Sequence, residues 1–421
     1  MWAPAYALAL ALVVTGPLLS PGYLLLRDAV STPRSYLSDV ALGLSDAAPR
    51  ALPQDFAVAL ASHVLDGGVV VKALLVAGLW LAGWGSARLA AAVLPDAGVP
   101  GQVVAATLAV WNPYVAERLL QGHWSLLVGY GCLPWVAATV LRMRSARTAP
   151  LWIEVCGLAF WIALAGLTPT GLMLAATVAL VCSLAPGSGR ARTLCAIVGV
   201  GAAALAALPW LTAAAVSGSL SSSQADGVPA FAARAEPGLA TLGSLASLGG
   251  IWNSEAVPAS RTTLFAVAAA VVLLGVVVAG LPVAVRTPAT VPLLILAAAA
   301  VVVPTLMATG PGLAAVESMV RALPGLGVVR DAQKWVALAV PGYAVAAAAA
   351  VVTLRRWLPG FATAAVCSLA LIATLPDLAW GVGGKVVAVQ YPPAWAVAAA
   401  AINADPRPVA VLMAGSMRHF P

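Results

Sequence analysis

Asp28 is the first residue of the chain whose type and position could support catalysis. It follows Arg27 directly, just after the first long apolar segment. A partly desolvated carboxylate beside a cation can take the proton of a hydroxyl group in the role of a general base. A solvated Arg–Asp pair that anchors the end of a helix is the simpler alternative. Asp39, eleven residues later, is the second candidate base.

A second polar stretch, WNPYVAERLLQGHW at residues 111–124, lies at the junction of two apolar segments. Charged residues beside a bilayer are costly unless they are paired or line a cavity, so Glu117 and Arg118 indicate more than a simple loop. The two tryptophan rings of this stretch, beside side chains that can hydrogen-bond to hydroxyl groups, are typical of a sugar-binding site. Tryptophans also mark membrane interfaces, and a lone histidine is often a structural residue. The residues predicted to shape a sugar pocket are Trp111, Asn112, Glu117, His123 and Trp124.

A third stretch, PGLGVVRDAQKW at residues 324–335, precedes an apolar segment. Arg330 and Lys334 are four residues apart, so on a helix they share one face. At a helix N-terminus they would add to the exposed N–H groups and the positive end of the dipole, which favours a phosphate. A charged helix start that marks the membrane edge is the alternative. We predict Arg330, Lys334 and Arg118 as phosphate ligands, with Asp331 among the groups that bind the sugar or the acceptor.

Other motifs narrow the classes of protein. The sequence lacks the GK[ST] of a nucleotide loop and the GxSxG and HExxH signatures of hydrolases. Its five cysteines form no CxxC pair and no Cys/His cluster, so neither a disulfide framework nor a zinc site is predicted. The net charge is +7, but no run of five basic residues supports nucleic-acid binding. No cofactor is predicted with certainty, and a divalent cation is left open.

The composition describes the scaffold that must position these residues. Of 421 residues, 62% are hydrophobic and only 9% are charged, and the mean hydropathy is +0.97. A soluble domain carries about a quarter charged residues, whereas apolar runs of about 20 residues are typical of transmembrane helices. We predict an all-α polytopic membrane protein with about eleven transmembrane helices. The apolar segments are 4–26, 69–93, 100–113, 124–141, 151–167, 171–186, 194–216, 263–285, 289–308, 336–354 and 360–380.

Basic residues set the predicted orientation. Arginines follow the apolar segments that end near residues 141, 186, 285 and 354. Short basic loops stay in the cytoplasm, which places the N-terminus inside and the C-terminus outside. On this topology 13 of the 15 carboxylates lie outside, where a site that needs a base is expected. The long extracytoplasmic loops are 27–68, 217–262 and 309–335.

The chain divides into two predicted regions. Residues 1–380 form the helical membrane domain, with an amphipathic interfacial helix at 53–65. Residues 381–421 form an extracytoplasmic tail with a helix at 392–403 and a strand at 408–413. Since a strand needs partners, we expect the start of a small α/β unit and an incomplete version of a longer protein.

The three polar stretches resemble those of a known superfamily. An acidic residue after the first helix, the WNPYVAERL-x-x-GHW junction and the late RD-x-x-KW stretch are similar to those of large actinobacterial multi-pass proteins of the GT-C glycosyltransferase superfamily. That class includes polyprenyl-phosphate-dependent arabinofuranosyl- and mannosyltransferases of the cell envelope. The resemblance covers residues 1–380 as architecture, and sequence-level matching is confined to the motifs.

The resemblance implies roles for individual residues. In GT-C enzymes a carboxylate of the first outer loop commonly acts as the base or holds a metal, and Asp28 matches that position, with Asp39 second. Many members carry two adjacent acidic residues there, whereas this chain has Arg27 before Asp28, which leaves metal dependence open. The late Arg/Lys stretch of the family holds the lipid phosphate, and Arg330 and Lys334 match it.

We therefore predict a glycosyltransferase of the plasma membrane. It would move a sugar, with inversion, from a polyprenyl-phosphate donor to a glycan or glycolipid acceptor on the extracytoplasmic face. One alternative is a transporter or flippase for a lipid-linked glycan, which needs ionisable residues spread through the helix interiors. Only Glu154 has such a position, so the sequence argues against this alternative. Another is a non-catalytic protein of envelope assembly. The enzyme prediction requires the regions near residues 28, 117 and 330 to meet in one outer cavity.

Overall fold

The structure is a computed structural model that describes residues 2–45, 51–145, 149–217 and 227–405. It is helical apart from one small sheet. The predicted strand at 408–413 lies outside the described residues. The helices in chain order are α1 (Trp2–Thr15), α2 (Asp39–Leu42), α3 (Gln54–Ala61), α4 (Gly67–Val93), α5 (Gly98–Val110), α6 (Pro113–Gln121), α7 (Trp124–Ser145), α8 (Leu151–Ala165), α9 (Pro169–Ser183), α10 (Arg192–Val216), α11 (Ala240–Ala246), α12 (Phe265–Ala284), α13 (Val291–Met307), α14 (Gly310–Ala322), α15 (Ala339–Leu354), α16 (Gly360–Ala373), α17 (Ala379–Gly384) and α18 (Ala394–Ala404).

Among the described residues, six stretches are long and apolar enough to cross a membrane. They are Trp2–Leu19, α4, α7, α10, α12 and Ala332–Leu354. Two pairs of helices pass the same test together but are bent, α13 with α14 by 91° and α16 with Pro376–Gly384 by 77°. Counting each bent pair as one span gives eight. The chain is thus an α-helical polytopic membrane protein by the length and composition of its helices.

The predicted count of eleven spans is not confirmed. The segments predicted at 100–113, 151–167 and 171–186 are present as α5, α8 and α9, which have 13, 15 and 15 residues. At a rise of about 1.5 Å per residue they extend roughly 20–23 Å, whereas a bilayer core is about 30 Å thick. These three helices are therefore too short to cross unaided.

Close packing of α7 against its neighbours fixes the centre of the bundle. The membrane-length stretch of α7 is completely buried within the protein. Gly131 lies so near α4 that a Cβ would overlap the carbonyl oxygen of Gly78. Such small residues allow two helix backbones to approach closely in a membrane, where van der Waals packing drives association. Because α7 begins at Trp124, this packing also fixes the end of the polar stretch at 111–124.

A three-stranded antiparallel sheet includes residues of the first segment that were predicted to be helical, together with one strand of the tail. Its strands are β1 (Tyr23–Leu26), β2 (Ala29–Val30) and β3 (Ala388–Val389), in the order β2-β1-β3. The predicted helix 4–26 ends instead at Thr15, and a 3-10 turn with Pro17 follows. Proline has no N–H to continue the helical hydrogen bonds, so the apolar residues of β1 pair as a strand. The beginning of the tail is thereby joined to the first loop.

The predicted short helices of the first loop and the tail are both present. The amphipathic helix expected at 53–65 is α3, which ends earlier, at Ala61. The Phe56 and Leu60 side chains on this helix are exposed, as an interfacial helix requires. The helix expected at 392–403 is α18.

Arginines gather at the end of the bundle away from this sheet. Arg144, near the end of α7, donates to the carbonyl oxygens of Ala185 (2.9 Å) and Arg190. Arg190 in turn donates through Nε to Oε2 of Glu154 at 2.8 Å. We call Arg144, Arg190, Glu154 and the carbonyl groups that Arg144 contacts the arginine clasp, because they join α7, α8 and the loop before α10.

Candidate functional site

Asp28 occupies the tip of the β1–β2 hairpin. Only Arg27 and Asp28 connect the paired residues Leu26 and Ala29. Arg27 has a φ of +49°, which residues other than glycine rarely adopt. The tight turn carries the Asp28 side chain away from the apolar bundle, and this side chain remains 56% exposed.

Hydrogen bonds attach the hairpin tip to the end of α6. The Arg27 guanidinium donates to the carbonyl oxygens of Leu120 and, at 2.8 Å, Glu255. The Asp28 N–H donates to the carbonyl oxygen of Gln121 at 3.1 Å. These bonds compensate for the unusual conformation of Arg27 and bring Asp28 to the polar stretch at 111–124.

Gly122 makes this close approach possible. It ends α6 in the left-handed region with a φ of +84°, and its N–H donates to carbonyl groups of the last helical turn. A Cβ at this position would overlap the Leu26 carbonyl oxygen and the Ala29 amide nitrogen. Glycine therefore satisfies both the helix end and the contact with the hairpin.

The Asp28 carboxylate accepts two side-chain hydrogen bonds. Nε2 of His123 lies 2.8 Å from Oδ2, and Nε2 of Gln121 donates to the same oxygen at 3.0 Å. The hydrogen bond from His123 is the main cause that lowers the pKa of Asp28 to about 2, against the opposing effect of partial burial. Asp28 is therefore an anion at neutral pH, and its lowered pKa makes it a weaker base than a free carboxylate.

His123 is held neutral between Asp28 and Arg118. Nη1 of Arg118 lies 3.1 Å from Nδ1 of His123. Since a guanidinium only donates, Nδ1 accepts and the ring proton is on Nε2, directed at Asp28. Burial, together with the charges of Arg118 and Lys334, lowers the pKa of His123 to about 4.

Arg118 connects α6 to the third polar stretch. Its guanidinium donates to both carboxylate oxygens of Asp331, at 3.1 and 3.3 Å, and also to Oε1 of Gln333. Although burial opposes ionisation, the positive charges of Arg118 and Lys334 hold the pKa of Asp331 well below its usual value. This paired arrangement is what a buried charge requires.

Lys334 lies beside Asp331, whereas Arg330 is connected to it through the rings of Phe231 and Trp252. Nζ of Lys334 is 3.6 Å from its carboxylate, and the Lys334 side chain is 24% exposed. The Arg330 guanidinium lies over the ring of Phe231 at 4.3 Å. Phe231 packs edge-on against Trp252, whose Nε1 donates to Asp331 at 3.3 Å. The structure thus brings the predicted residues near 28, 118 and 330 to one end of the bundle.

Trp111 and Asn112 have structural roles that the sequence did not indicate. Nε1 of Trp111 donates to the carbonyl oxygens of Ile372 and Leu375, both at 3.0 Å. Asn112 caps α6 by accepting from the Val115 N–H, and its amide group donates within the bundle. Both side chains are buried and lie outside the cavity described next, so their predicted contact with a sugar is not supported.

A cavity of about 400 Å³ lies beside Asp28. Its volume is within the range of small-molecule pockets. Trp124 and Val71 contribute from α7 and α4, and the first loop contributes most of the polar wall. The lining residues are Asp28, Val30, Ser31, Thr32, Ser35, Tyr36, Ser38, Val40, Ala41, Ala51, Gln54, Asp55, Val58, Val71 and Trp124.

Asp39, the second candidate base, does not join Asp28. It begins α2 and is exposed, and its backbone carbonyl accepts from Gly43 and Leu44. Within the described ranges, Asp39 is absent from the cavity lining and from the side-chain hydrogen bonds around Asp28.

Several residues of the site were missed. Gln121 and Gln333 lie inside the predicted polar stretches, so their polar character between charged neighbours was a usable signal. Phe231 and Trp252 come from the loop at 217–262, where no spacing indicated a role. For a divalent cation, no group of three or more His, Cys, Asp or Glu side chains suited to a metal occurs in the part of the chain that the structure describes.

The fold and the site define a class: an α-helical polytopic membrane protein with a polar pocket and a network of ion pairs at one end of the bundle. Comparison with known proteins adds no family to this description. No protein-family model matches the chain, and searches of curated proteins and of solved structures gave no match.

Proposed function

We propose that the protein is a glycosyltransferase that moves a sugar from a polyprenyl-phosphate donor to a hydroxyl group of an envelope glycan or glycolipid. One observation carries the proposal: the ionised Asp28 carboxylate lies at the wall of a polar cavity and in the same network as Arg118, Asp331 and Lys334. A base and exposed cations side by side are what transfer from a phosphate to a hydroxyl requires.

The cavity is the proposed binding region for the acceptor. Trp124 offers an aromatic surface, while Gln54, Asp55 and the hydroxyl groups of the first loop offer hydrogen bonds. A ligand with many hydroxyl groups and an apolar ring face matches this mixture of walls. The acceptor hydroxyl would point at Asp28.

The cations Arg330 and Lys334 are the proposed phosphate site. Arg330 and Lys334 are both partly exposed, so a ligand can reach them. Arg118 is fully buried and already bonded to Asp331 and His123. Its role in this proposal is to hold the network and add positive potential, in place of the direct phosphate contact that its charge suggested.

The reaction then follows from these positions. Asp28 takes the proton of the acceptor hydroxyl as that oxygen attacks the anomeric carbon of the donor. A bond forms between this carbon and the acceptor oxygen, and the bond to the phosphate oxygen breaks on the opposite side of the ring, with inversion. Arg330 and Lys334 stabilise the charge on the departing polyprenyl phosphate. The proton on Asp28 passes to solvent or to that phosphate.

The proposed location is the extracytoplasmic face of the plasma membrane. The arginine clasp and Arg355, which donates to the Asp96 carbonyl group, lie at the other end of the bundle, and short basic loops favour the cytoplasm. A lipid-borne donor suits the outer face, where nucleotide sugars are scarce. The donor would enter sideways from the membrane.

The proposal is tested with Asp28→Asn and Asp39→Asn in purified protein. The probes are synthetic polyprenyl-phosphate arabinofuranose and mannose with octyl glycoside acceptors. Loss of the base should lower transfer by about 100-fold or more, whereas Asp39→Asn, an equal change of charge in the same loop, should leave transfer unchanged. Equal activity of both variants and the parent protein would exclude Asp28 as the base. A parent protein that transfers neither sugar but moves lipid-linked glycan between leaflets would favour the flippase.

A further inference from the structure

A second pair of carboxyl groups lies beneath the site, at Glu117 and Glu236. Glu117 is fully buried on α6, and Glu236 is buried in the loop before α11. Oε1 of Glu117 accepts from the Gly250 N–H at 3.1 Å, and Oε1 of Glu236 lies against the adjacent Gly249, so the two carboxyl groups are close neighbours. Two ionised carboxylates at this distance would repel each other in a medium of low polarity, so their protonation states must differ or a cation must serve both.

The two nearby arginines donate hydrogen bonds to groups other than Glu117, although the charges of both act on it. Arg261 is buried and donates to Oε2 of Glu236 and, at 2.7 Å, to the hydroxyl oxygen of Ser247. The Arg118 guanidinium is bonded to Asp331. Glu117 instead accepts hydrogen bonds from two neutral groups, the Gly250 N–H at 3.1 Å and Nε2 of Gln333 at 2.8 Å.

One acceptor in this cluster is left without a donor. Oε1 of Glu236 is buried and has no hydrogen-bond partner among the groups of the described ranges. An unsatisfied buried acceptor is costly. A proton on Glu117 would supply the missing donor and remove the repulsion at the same time. Burial, and next the charge of Glu236, raises the pKa of Glu117 well above its usual value, which agrees with a protonated Glu117.

We infer that Glu117 is a neutral carboxylic acid that donates its proton to Glu236, and that it acts as a positioning residue for the site. Its route to the site is a continuous chain of hydrogen bonds. Glu117 holds the amide group of Gln333, and the Gln333 oxygen accepts from Arg118. Arg118 then contacts His123, and His123 contacts Asp28.

The neutral state of Glu117 also affects the electrostatic potential of the proposed phosphate site. With Glu117 protonated, Arg118 and Arg261 each have one anionic partner, and the positive potential of Arg330 and Lys334 stays available for a phosphate. An ionised Glu117 would add a buried negative charge beside Arg118 and weaken that potential. The positioning role therefore rests on the proposed function, whereas the shared proton does not.

Infrared spectroscopy tests the shared proton without any activity assay. A protonated carboxyl group has a carbonyl band separate from those of carboxylates and amides, and this band shifts in D2O. The 421-residue protein in detergent at neutral pH should show such a band, and Glu117→Gln should remove it. Glu255→Gln is the matched control, because the Glu255 side chain is 79% exposed and should leave the band intact. Absence of the band in the parent protein, or its persistence in Glu117→Gln, would overturn the inference.

Sugar transfer tests the positioning role. Glu117→Gln keeps a neutral donor and loses one acceptor, so transfer should stay within about fivefold of the parent protein, the equivalent of one hydrogen bond. Glu117→Ala loses the contact with Gln333 and should lower kcat well below that of Glu117→Gln. Equal losses in the two variants would show that the conservative change gives no rescue, and the positioning role would be wrong. If neither the parent nor any variant transfers sugar, the proposed function fails while the infrared result stands.

Discussion

The two ends of the helical bundle both bury arginines, but the partners of these arginines differ. In the arginine clasp, Arg144 donates to backbone carbonyl oxygens of the loop that follows α9. At the opposite end, Arg118 donates to the side chains of His123, Asp331 and Gln333. Hydrogen bonds from Arg144 to backbone carbonyl oxygens hold a loop in place. The side chains that accept from Arg118 can form further hydrogen bonds, with other residues or with a ligand.

Exposure of the carboxylates separates the two ends further. Glu154 in the clasp is paired with Arg190, and its side chain is only 9% exposed. Asp28 at the site accepts two hydrogen bonds, yet more than half of its side chain remains exposed beside the cavity. A buried arginine is therefore no sign of function by itself. The presence of an exposed carboxylate in the same network is the more useful criterion.

Removing each central arginine tests this comparison most strongly. Arg118→Met leaves the buried Asp331 without its main partner, which should lower the free energy of unfolding by about 3–5 kcal/mol and abolish sugar transfer. Arg144→Met leaves backbone carbonyl groups unpaired, at a cost of about 1–3 kcal/mol, with no loss of transfer per folded molecule. Thermal unfolding in detergent and transfer assays on the folded fraction measure both effects. If Arg144→Met loses transfer as completely as Arg118→Met, the proposed division between the two ends is wrong.

A methyl group at Gly122 tests how closely the hairpin must approach α6. Gly122→Ala places a Cβ against Leu26 and Ala29 at a positive φ, and the overlap together with the backbone strain should cost about 2–3 kcal/mol. The hairpin would move and carry Asp28 away from His123, so transfer should fall more than stability.

The control for this change is Gly157→Ala on α8, where an added Cβ meets nothing within 4 Å. It should leave both stability and transfer unchanged, or raise stability slightly. An unchanged activity of Gly122→Ala would mean that the tip of the hairpin can shift without harm, and the precise placement of Asp28 would lose its importance.

The polar residues of the site could be predicted because the chain offers each buried charge few oppositely charged partners. In a sequence with 9% charged residues, a buried charge must find an opposite charge, and Arg118 with Asp331 is such a case. The membrane class followed from the low fraction of charged residues, which cannot cover a surface that faces water. The meeting of the regions near 28, 118 and 331 was a requirement of the enzyme prediction, but the pairing of Arg118 with Asp331 was not predicted.

The sheet and the deeper partners could not be predicted. The residues YLLL of β1 have the composition of a membrane helix, and their strand form depends on pairing with β3, which lies more than 360 residues later. Likewise, nothing in the local sequence of Glu236 indicated Glu117 as its partner. Trp111 was assigned to a sugar because of its ring, but its Nε1 satisfies two carbonyl groups. Such choices depend on tertiary contacts that spacing does not contain.

The protonation of His123 gives the smallest predicted effect and the finest test of the site. Its pKa is about 4 in the folded protein, lower than the usual value of about 6.5. As the pH falls from about 7 to about 5.5, the unfolded chain takes up a proton that the folded protein does not, so the free energy of unfolding should fall by about 1.2 kcal/mol. His123→Gln retains a donor for Asp28 but does not titrate, so this part of the pH dependence should disappear. Other groups titrate equally in both proteins and cancel in the difference. Apparent melting temperatures at the two pH values measure this difference. If the melting temperatures of the two proteins change equally with pH, His123 is already protonated or its pKa is not lowered by burial and by Arg118.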